Sequence, residues 1–297
     1  MTYLVTGATG FIGTKLVEQL LGRGDAVYYL ARRRSTKLPT QASFHPWETS
    51  NIPELNALSR IDAIFHLAGE PIAQRWTAEV KKRIYDSRVM GTRNLVTAIA
   101  GLRHRPSVLV SASATGYYGD RGSEILTESE APGGDFLAGV CKDWECEASR
   151  ACELGLRVVP VRISTVLGLE GGALKEMLPV FRSGLGGKFG SGEQWLSWIH
   201  LEDLVRLLML AADNSTITGP LNGSSPEPVT NAYFTKAFAH ALHRPALLQM
   251  PKFAMKLLLG EMAEFLFTSL RVIPEAAEKA GFKFAYRELR VALQSLL

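Results

Sequence analysis

Apolar positions along this 297-residue chain fall into two patterns that alternate through its first two-thirds. Tyr3–Thr6, Ala26–Ala31, Ala63–Leu67, Ser107–Ser111 and Arg157–Arg162 are short runs, mostly continuous in Val, Leu, Ile and Ala. Parallel strands covered on both faces have this length and lack a polar side. Between them lie amphipathic stretches of helical period, chiefly Thr77–Ala100 and Phe136–Leu154. The alternation predicts an α/β fold: a Rossmann-type doubly wound parallel sheet with a ligand crevice at the carboxyl ends of its strands. Beyond about residue 170 the texture changes. Ser183–Gly192 is dense in glycine and reads as a loop or hairpin bordering the pocket. Helix His200–Asp213, strand Pro220–Asn222, helix Asn231–His243 and further helices then run to Leu297. Phe253–Leu270 is strongly apolar but carries Lys256, Glu261 and Glu264, so it reads as a packing helix and not a membrane span.

The first run leads into Thr6-Gly7-Ala8-Thr9-Gly10-Phe11-Ile12-Gly13, followed by an amphipathic segment with Leu16, Leu20 and Leu21. This is a strand, a tight glycine turn and a helix. Gly7 permits the turn, Gly10 lets backbone approach a pyrophosphate, and Gly13 lets the helix pack close to the sheet. The helix N-terminus offers free N–H groups and the positive end of its dipole to phosphate. Glycine spacing alone is weak evidence, but the surrounding elements are those the mechanism requires. Residues 1–170 are therefore expected to form a dinucleotide-binding domain, with returning segments from 190–225. Residues 171–297 are expected to form a small, mostly helical substrate-side lobe, including a C-terminal helical domain from about 248.

Composition narrows the partners. The formal net charge is +4, with 33 basic residues spread among 29 acidic ones. Arg32-Arg33-Arg34 is the one tight basic run, which suits reading a phosphate better than binding nucleic acid. The first strand starts at residue 3, which argues against a signal peptide. Cys141, Cys146 and Cys152 fall in one expected helix without metal-ligand spacing and read as reduced thiols of a cytoplasmic protein. No metal site is expected. Nor is there a nucleophile elbow or a phosphate-transfer loop.

The glycine loop, Phe65-His66-Leu67-Ala68-Gly69, Gly91-Thr92-Arg93-Asn94-Leu95, Ser111-Ala112-Ser113 and Trp198–Leu204 together resemble the extended short-chain dehydrogenase/reductase superfamily of nucleotide-sugar epimerases and dehydratases. Ala68–Ile72, Ala114–Gly119, Leu185–Gly192 and Ala280-Gly281-Phe282 narrow the resemblance to the SDR39U/YfcH-like epimerase-family subgroup with its own C-terminal domain. The resemblance implies a Rossmann domain and a nicotinamide cofactor held by Gly7, Thr9, Gly10, Phe11, Ile12 and Gly13. It also implies backbone contacts from Leu67, Ala68 and Gly69, with Glu70 and Ser111 beside the same path. Trp47 lies where an indole stacks on adenine or is core; both readings stay open. Arg88 stands where relatives often have Asn, and needs an anion such as a cofactor phosphate or Glu70.

An NAD-selective site places Asp or Glu at the end of the second strand. Here that position holds Ala31, followed by Arg32 and Arg33, which makes room for a 2′-phosphate and pairs with it. The expected cofactor is NADP (NADPH).

Catalysis in the superfamily rests on Ser, Tyr and Lys, the last two as Tyr-x-x-x-Lys. Ser113 matches the serine and Lys142 the lysine, but Ala138 stands where the tyrosine belongs. Tyr117 and Tyr118, on the loop after Ser113, are the remaining phenols; they either donate the proton or only shape the wall. Lys142 either serves acid–base chemistry or only binds the nicotinamide ribose. His66, His200 and Asp203 read as structural hydrogen-bonders. Three functions stay open: an NADP-dependent oxidoreductase or epimerase-like enzyme for a small polar carbonyl or hydroxyl compound, a catalytically degenerate NADP(H) sensor, and a scaffold with a structural cofactor. The expected partner is an unknown small-molecule substrate, with a homodimer left open and no nucleic acid or membrane expected.

Overall fold

The computed structural model describes residues 1–297. Its central sheet has seven strands: β1 Thr2–Thr6, β2 Ala26–Ala31, β3 Ser43–Pro46, β4 Ala63–His66, β5 Val108–Ala114, β6 Arg157–Ile163 and β7 Leu221–Gly223. Every adjacent pair is parallel. The order is β3-β2-β1-β4-β5-β6-β7, so the chain travels outward from β1 in one direction and then from β4 in the other. The crevice between β1 and β4 at their carboxyl ends is where open α/β sheets take ligands. The five strands expected from periodicity are all present, and β7 is the returning strand. The edge strand β3 escaped because Ser43-Phe44-His45-Pro46 has no buried face to impose alternation.

The helices are α1 (Phe11–Gly22), α2 (Ala78–Ala100), α3 (Phe136–Ser149), α4 (Gly172–Arg182), α5 (Leu201–Asp213), α6 (Asn231–Ala241), α7 (Lys252–Leu259), α8 (Met262–Leu266), α9 (Glu275–Lys279) and α10 (Leu289–Leu296). Strand side chains alternate between two apolar layers. Tyr3 and Val5 of β1 pack with Leu16, Val17 and Leu20 of α1 and Leu204, Val205 and Leu208 of α5. Leu4 between them joins the opposite layer, with Leu95, Val96 and Ile99 of α2 and Ala148 of α3. Burying both faces in this way is what holds the crevice-lining strand ends in register.

The late chain differs from its reading in two places. Ser183–Gly192, read as a loop or hairpin, is a loop with one short strand, Gly187–Phe189, that pairs in parallel with Leu248–Met250. Phe253–Leu270 is not one helix either. It breaks between α7 and α8 at Gly260, whose φ of +62° lies in the left-handed region that glycine tolerates. The α8 end packs inward, Met262, Phe265 and Leu266 meeting Trp76, Ile84 and Leu137. That contact places the C-terminal segment against the first turns of α2 and α3, as one wall of the crevice. No helix is long and apolar enough to cross a membrane.

Candidate functional site

The glycine loop leaves β1 at its carboxyl end. Gly7 turns with φ +69°, and a Cβ there would lie 2.5 Å from the Leu67 carbonyl carbon. A Cβ on Gly13 would lie 2.3 Å from the Gly7 oxygen, so only glycine lets α1 descend this close to β1. Gly10 donates to the Gly7 oxygen at 3.0 Å and caps α1 without a side chain. The first N–H groups of α1 therefore face outward without a capping oxygen, as a pyrophosphate requires. Phe11 has a further role that the motif does not announce. Its ring fills the space left by Gly168 and Gly171, where a Cβ would come within 2.6 Å of ring atoms. The glycine turn is thereby packed onto the loop that starts α4.

The neighbouring strand end is fixed by a polar chain through His66, which is completely buried. Leu67 and Ala68 donate their N–H groups to Thr6 Oγ1 at 3.2 Å. Thr6 Oγ1 is 2.7 Å from His66 Nδ1, and His66 Nε2 is 2.9 Å from Thr92 Oγ1. Thr92 spends its own proton on the Arg88 carbonyl, 2.5 Å away. It must therefore accept from His66 Nε2–H, and His66 Nδ1 must accept from Thr6. Burial pushes the imidazole down to about 4, so it stays neutral. His66 is a structural tie that positions the Leu67–Gly69 backbone.

At the end of β2, Ala31 is followed by Arg32, Arg33 and Arg34, all exposed and none in an ion pair with the chain. Trp47 is core: 7% exposed, it donates its indole N–H to the Asn51 carbonyl at 2.7 Å. The indole belongs to the apolar cluster that holds Leu30, Leu55 and Ile64. Ser111 is likewise enclosed, its hydroxyl bonded to the Ala112 carbonyl at 3.2 Å. Of the two readings open for Trp47 the structure takes core, and the Ser111 hydroxyl is engaged within its own strand. The Glu70 carboxylate turns to Gln74 and Arg83. It is the Glu70 carbonyl that accepts from Arg88 Nη1, at 3.0 Å.

The opposite wall carries the expected catalytic serine in an unexpected setting. Ser113 donates to Glu145 Oε1 at 2.6 Å. Glu145 is held in turn by Arg162, whose Nε and Nη2 reach its two oxygens at 2.9 Å. Two charge-assisted bonds in this fork geometry fix the carboxylate against the guanidinium. Lys142 does not join them; it is exposed on the flank of α3 with no hydrogen bond or ion pair. The α3 side chains that reach Ser113 are Glu145 and Cys141, a thiol that burial pushes up to about 12. The resemblance placed the lysine one residue off this face, and a helix turns by about 100° per residue.

The two tyrosines part company. Tyr118 is completely buried, donates to Asn222 Oδ1 at 2.6 Å and accepts from Arg162 Nη1 at 3.0 Å. Burial pushes its phenol up to about 12, and its proton is already given to Asn222. Tyr117 is half-buried with the Arg162 guanidinium 3.5 Å above its ring, and its hydroxyl has no partner within the chain. Arg162, which the sequence reading passed over, thus orders Glu145, Tyr117 and Tyr118 together. Its position on β6, one residue along from the apolar run, was the available signal.

His200 and Asp203 are structural. His200 caps α5 by accepting from Glu202 N and stacks on Tyr286 at 3.8 Å. Asp203, with no exposed surface, accepts from Ala285 N and Tyr286 N and pairs with Arg206, tying the tail to α5. The three cysteines are free thiols, and no cluster of His, Cys, Asp or Glu could hold a metal ion.

Comparison with known proteins agrees with this geometry. Residues 3–221 match the NAD dependent epimerase/dehydratase family, and residues 250–296 match a domain of unknown function, DUF1731. The chain is 39% identical to the chloroplastic epimerase family protein SDR39U1 homolog of Arabidopsis thaliana, covering 100% of this chain and 87% of that one. It is 36% identical to the epimerase family protein YfhF of Bacillus subtilis, covering 100% and 98%. Among solved structures, human epimerase family protein SDR39U1 with NADPH superposes with a TM-score of 0.89 at 33% identity, covering 100% of this chain and 99% of that chain. A UDP-galactose 4-epimerase at 18% identity, TM-score 0.78, shares the fold. A glycine loop at the sheet's switch point, an uncapped helix behind it and relatives matched over most of their length lead to one assignment: the chain belongs to the NAD dependent epimerase/dehydratase family, within the extended short-chain dehydrogenase/reductase superfamily.

Proposed function

We propose that the protein binds NADP(H) and is an oxidoreductase or epimerase-like enzyme for a small polar carbonyl or hydroxyl compound. The observation that carries the cofactor preference is the end of β2. Ala31 leaves room there, and three arginines with no partner in the chain follow it. An acid at that point would repel a 2′-phosphate, whereas free guanidinium groups pair with it. The NADPH bound by the human relative supports the same reading. The residues present fit such a cofactor, since α1 opens at Gly10 with no side-chain cap and its first N–H groups are left for a phosphate.

When bound, the nicotinamide supplies hydride transfer; the chain supplies position and protons. Gly10 and the α1 N-terminus hold the pyrophosphate, and the Leu67–Gly69 backbone lines the path beyond it. Ser113 has committed its proton to Glu145, so it meets a substrate as an acceptor, taking a hydrogen bond from a hydroxyl. Tyr117 is the one phenol of the loop whose hydroxyl is unclaimed, and it is the proton donor in this reading. A second reading, a cofactor sensor without turnover, is favoured by Leu137 and Ala138, which put no phenol on the site end of α3.

Replacing Arg32 and Arg33 by Ala tests the cofactor preference, with affinities measured by calorimetry. NADPH should weaken by at least tenfold more than NADH, since each charge-assisted phosphate contact contributes about 1.5–3 kcal/mol before solvent screening. Equal losses for the two cofactors would remove the preference. NADPH oxidation over a panel of carbonyl compounds then separates enzyme from sensor.

A further inference from the structure

We propose that α7 is a peripheral membrane contact: Phe253, Leu257 and Leu258 enter the headgroup boundary of a bilayer, and the basic residues around them select anionic lipid. This contact is independent of the cofactor reading.

α7 buries none of its eight residues, although all but Lys252 and Lys256 are apolar. Phe253 is 78% exposed, Leu257 75% and Leu258 67%. At about 100° per residue these three fall on one arc of roughly 140°, with Lys252 and Lys256 along its edge. The expected packing helix Phe253–Leu270 turns inward only from Leu259 onward. Exposed leucines continue into the strand before α7, at Leu247 and Leu248, and into the adjoining segment at Leu185. That segment is held alongside by the pairing of Gly187–Phe189 with Leu248–Met250, and by Arg244 Nε donating to the Arg182 carbonyl at 3.0 Å.

The fold nonetheless fixes α7. The paired strand Leu248–Met250 sets its entry, and at its exit Trp76 N–H donates to the Leu259 carbonyl at 3.4 Å. A helix of this length is marginal in water by itself, so these two ties keep an apolar arc turned outward. Such a face, fixed in place and left uncovered, marks an interaction surface.

The charge around it is of one sign. No Asp or Glu occurs from Pro228 to Gly260 or from Met177 to Gly192, whereas Lys236, Arg244, Lys252 and Lys256 lie in the first stretch and Arg182 and Lys188 in the second. Glu264 reaches α7 from α8, but Lys252 and Lys256 share that one carboxylate, so the helix keeps a positive balance. Glu261 is taken by Lys81. The charge of the whole chain gave no reason to expect a membrane, because the balancing acids lie outside these two stretches. A second copy seated on the same face would set its cations against one another. An anionic bilayer pairs with them, and it takes up the apolar arc without a groove of matching shape. α7 is far too short to span, so it lies in the plane of the surface.

The test is co-sedimentation of the full chain with phosphatidylcholine vesicles, with and without about one-third phosphatidylglycerol. Partitioning onto the anionic vesicles should be about tenfold stronger or more, and added salt should reduce it. Phe253→Ser/Leu257→Ser should lower it by about tenfold or more. Lys252→Gln/Lys256→Gln should lower it by about fivefold or more and narrow the difference between the two vesicle types. Thermal unfolding checks that both variants are folded; should the serine variant not be, Leu258→Ser decides, with a threefold or greater loss expected. No partitioning onto anionic vesicles overturns the proposal, as does partitioning that the deciding serine variant leaves within twofold. If sedimentation velocity instead shows self-association that the same variant abolishes, and vesicles bind nothing, α7 belongs to a contact between copies and the membrane reading falls.

Discussion

Acidification should unfasten the strand end that carries Leu67–Gly69, and His66 sets how much. The imidazole is completely buried and its pKa falls from 6.5 to about 4. Its two ring nitrogens are already committed, Nδ1 accepting from Thr6 and Nε2 donating to Thr92. Protonation would put a second proton at Nδ1, facing a Thr6 oxygen that already takes the Leu67 and Ala68 N–H groups. A group depressed in the folded state contributes stability that is full above its unfolded pKa and is lost as pH falls through the folded value. The window is therefore between 6.5 and about 4. At 1.36 kcal/mol per pKa unit the loss amounts to about 3 kcal/mol. Burial holds His45 and His200 low as well and Glu128 high, so a single pH profile mixes several groups. The assay is a pair of urea-unfolding series from pH 7 to 4.5, on the unaltered protein and on His66→Gln. The unaltered protein should lose more stability than the variant over this range, and its affinity for NADPH should fall in parallel. Equal slopes in the two series would show that His66 is not held neutral by the fold, and the hydrogen-bond directions inferred for Thr6 and Thr92 would fall with it.

Two further outcomes follow from the other wall. Tyr117→Phe should abolish turnover of any substrate found while leaving NADPH affinity within twofold, and full activity in that variant would exclude the phenol as proton donor. Glu145→Gln should cost about 3–5 kcal/mol in urea unfolding, because it leaves Arg162 buried at 3% exposure without its carboxylate. A loss below 1 kcal/mol would mean that the Tyr118 hydroxyl and the Glu128 carbonyl satisfy Arg162 unaided.

The strands and the glycine loop were legible in the sequence because each answers a constraint acting over a few residues. A strand covered on both faces must be apolar throughout, and a phosphate turn must have glycine wherever a Cβ would strike backbone, as at Gly7 and Gly13. The same local logic exposed Ala31 with its trailing arginines, and the family resemblance exposed the missing phenol at Ala138. Tertiary structure decided what depends on the second partner of a contact. Trp47 could stack or be core, and packing among Leu30, Leu55 and Ile64 made it core. Ser113 was visible as a serine at a strand end, but the direction of its proton was fixed by Glu145, thirty-two residues away on α3. Lys142 has the right spacing, yet the turn of α3 leaves it outside and brings Cys141 and Glu145 in. Arg88 was recognisable as a cation wanting an anion; only the packing of α2 against α3 and Gly69 made it a buried one that meets the Glu70 and Ile84 carbonyls. Periodicity reports which face of an element is buried. Which donor meets which acceptor across two elements is settled only when the sheet brings their ends together.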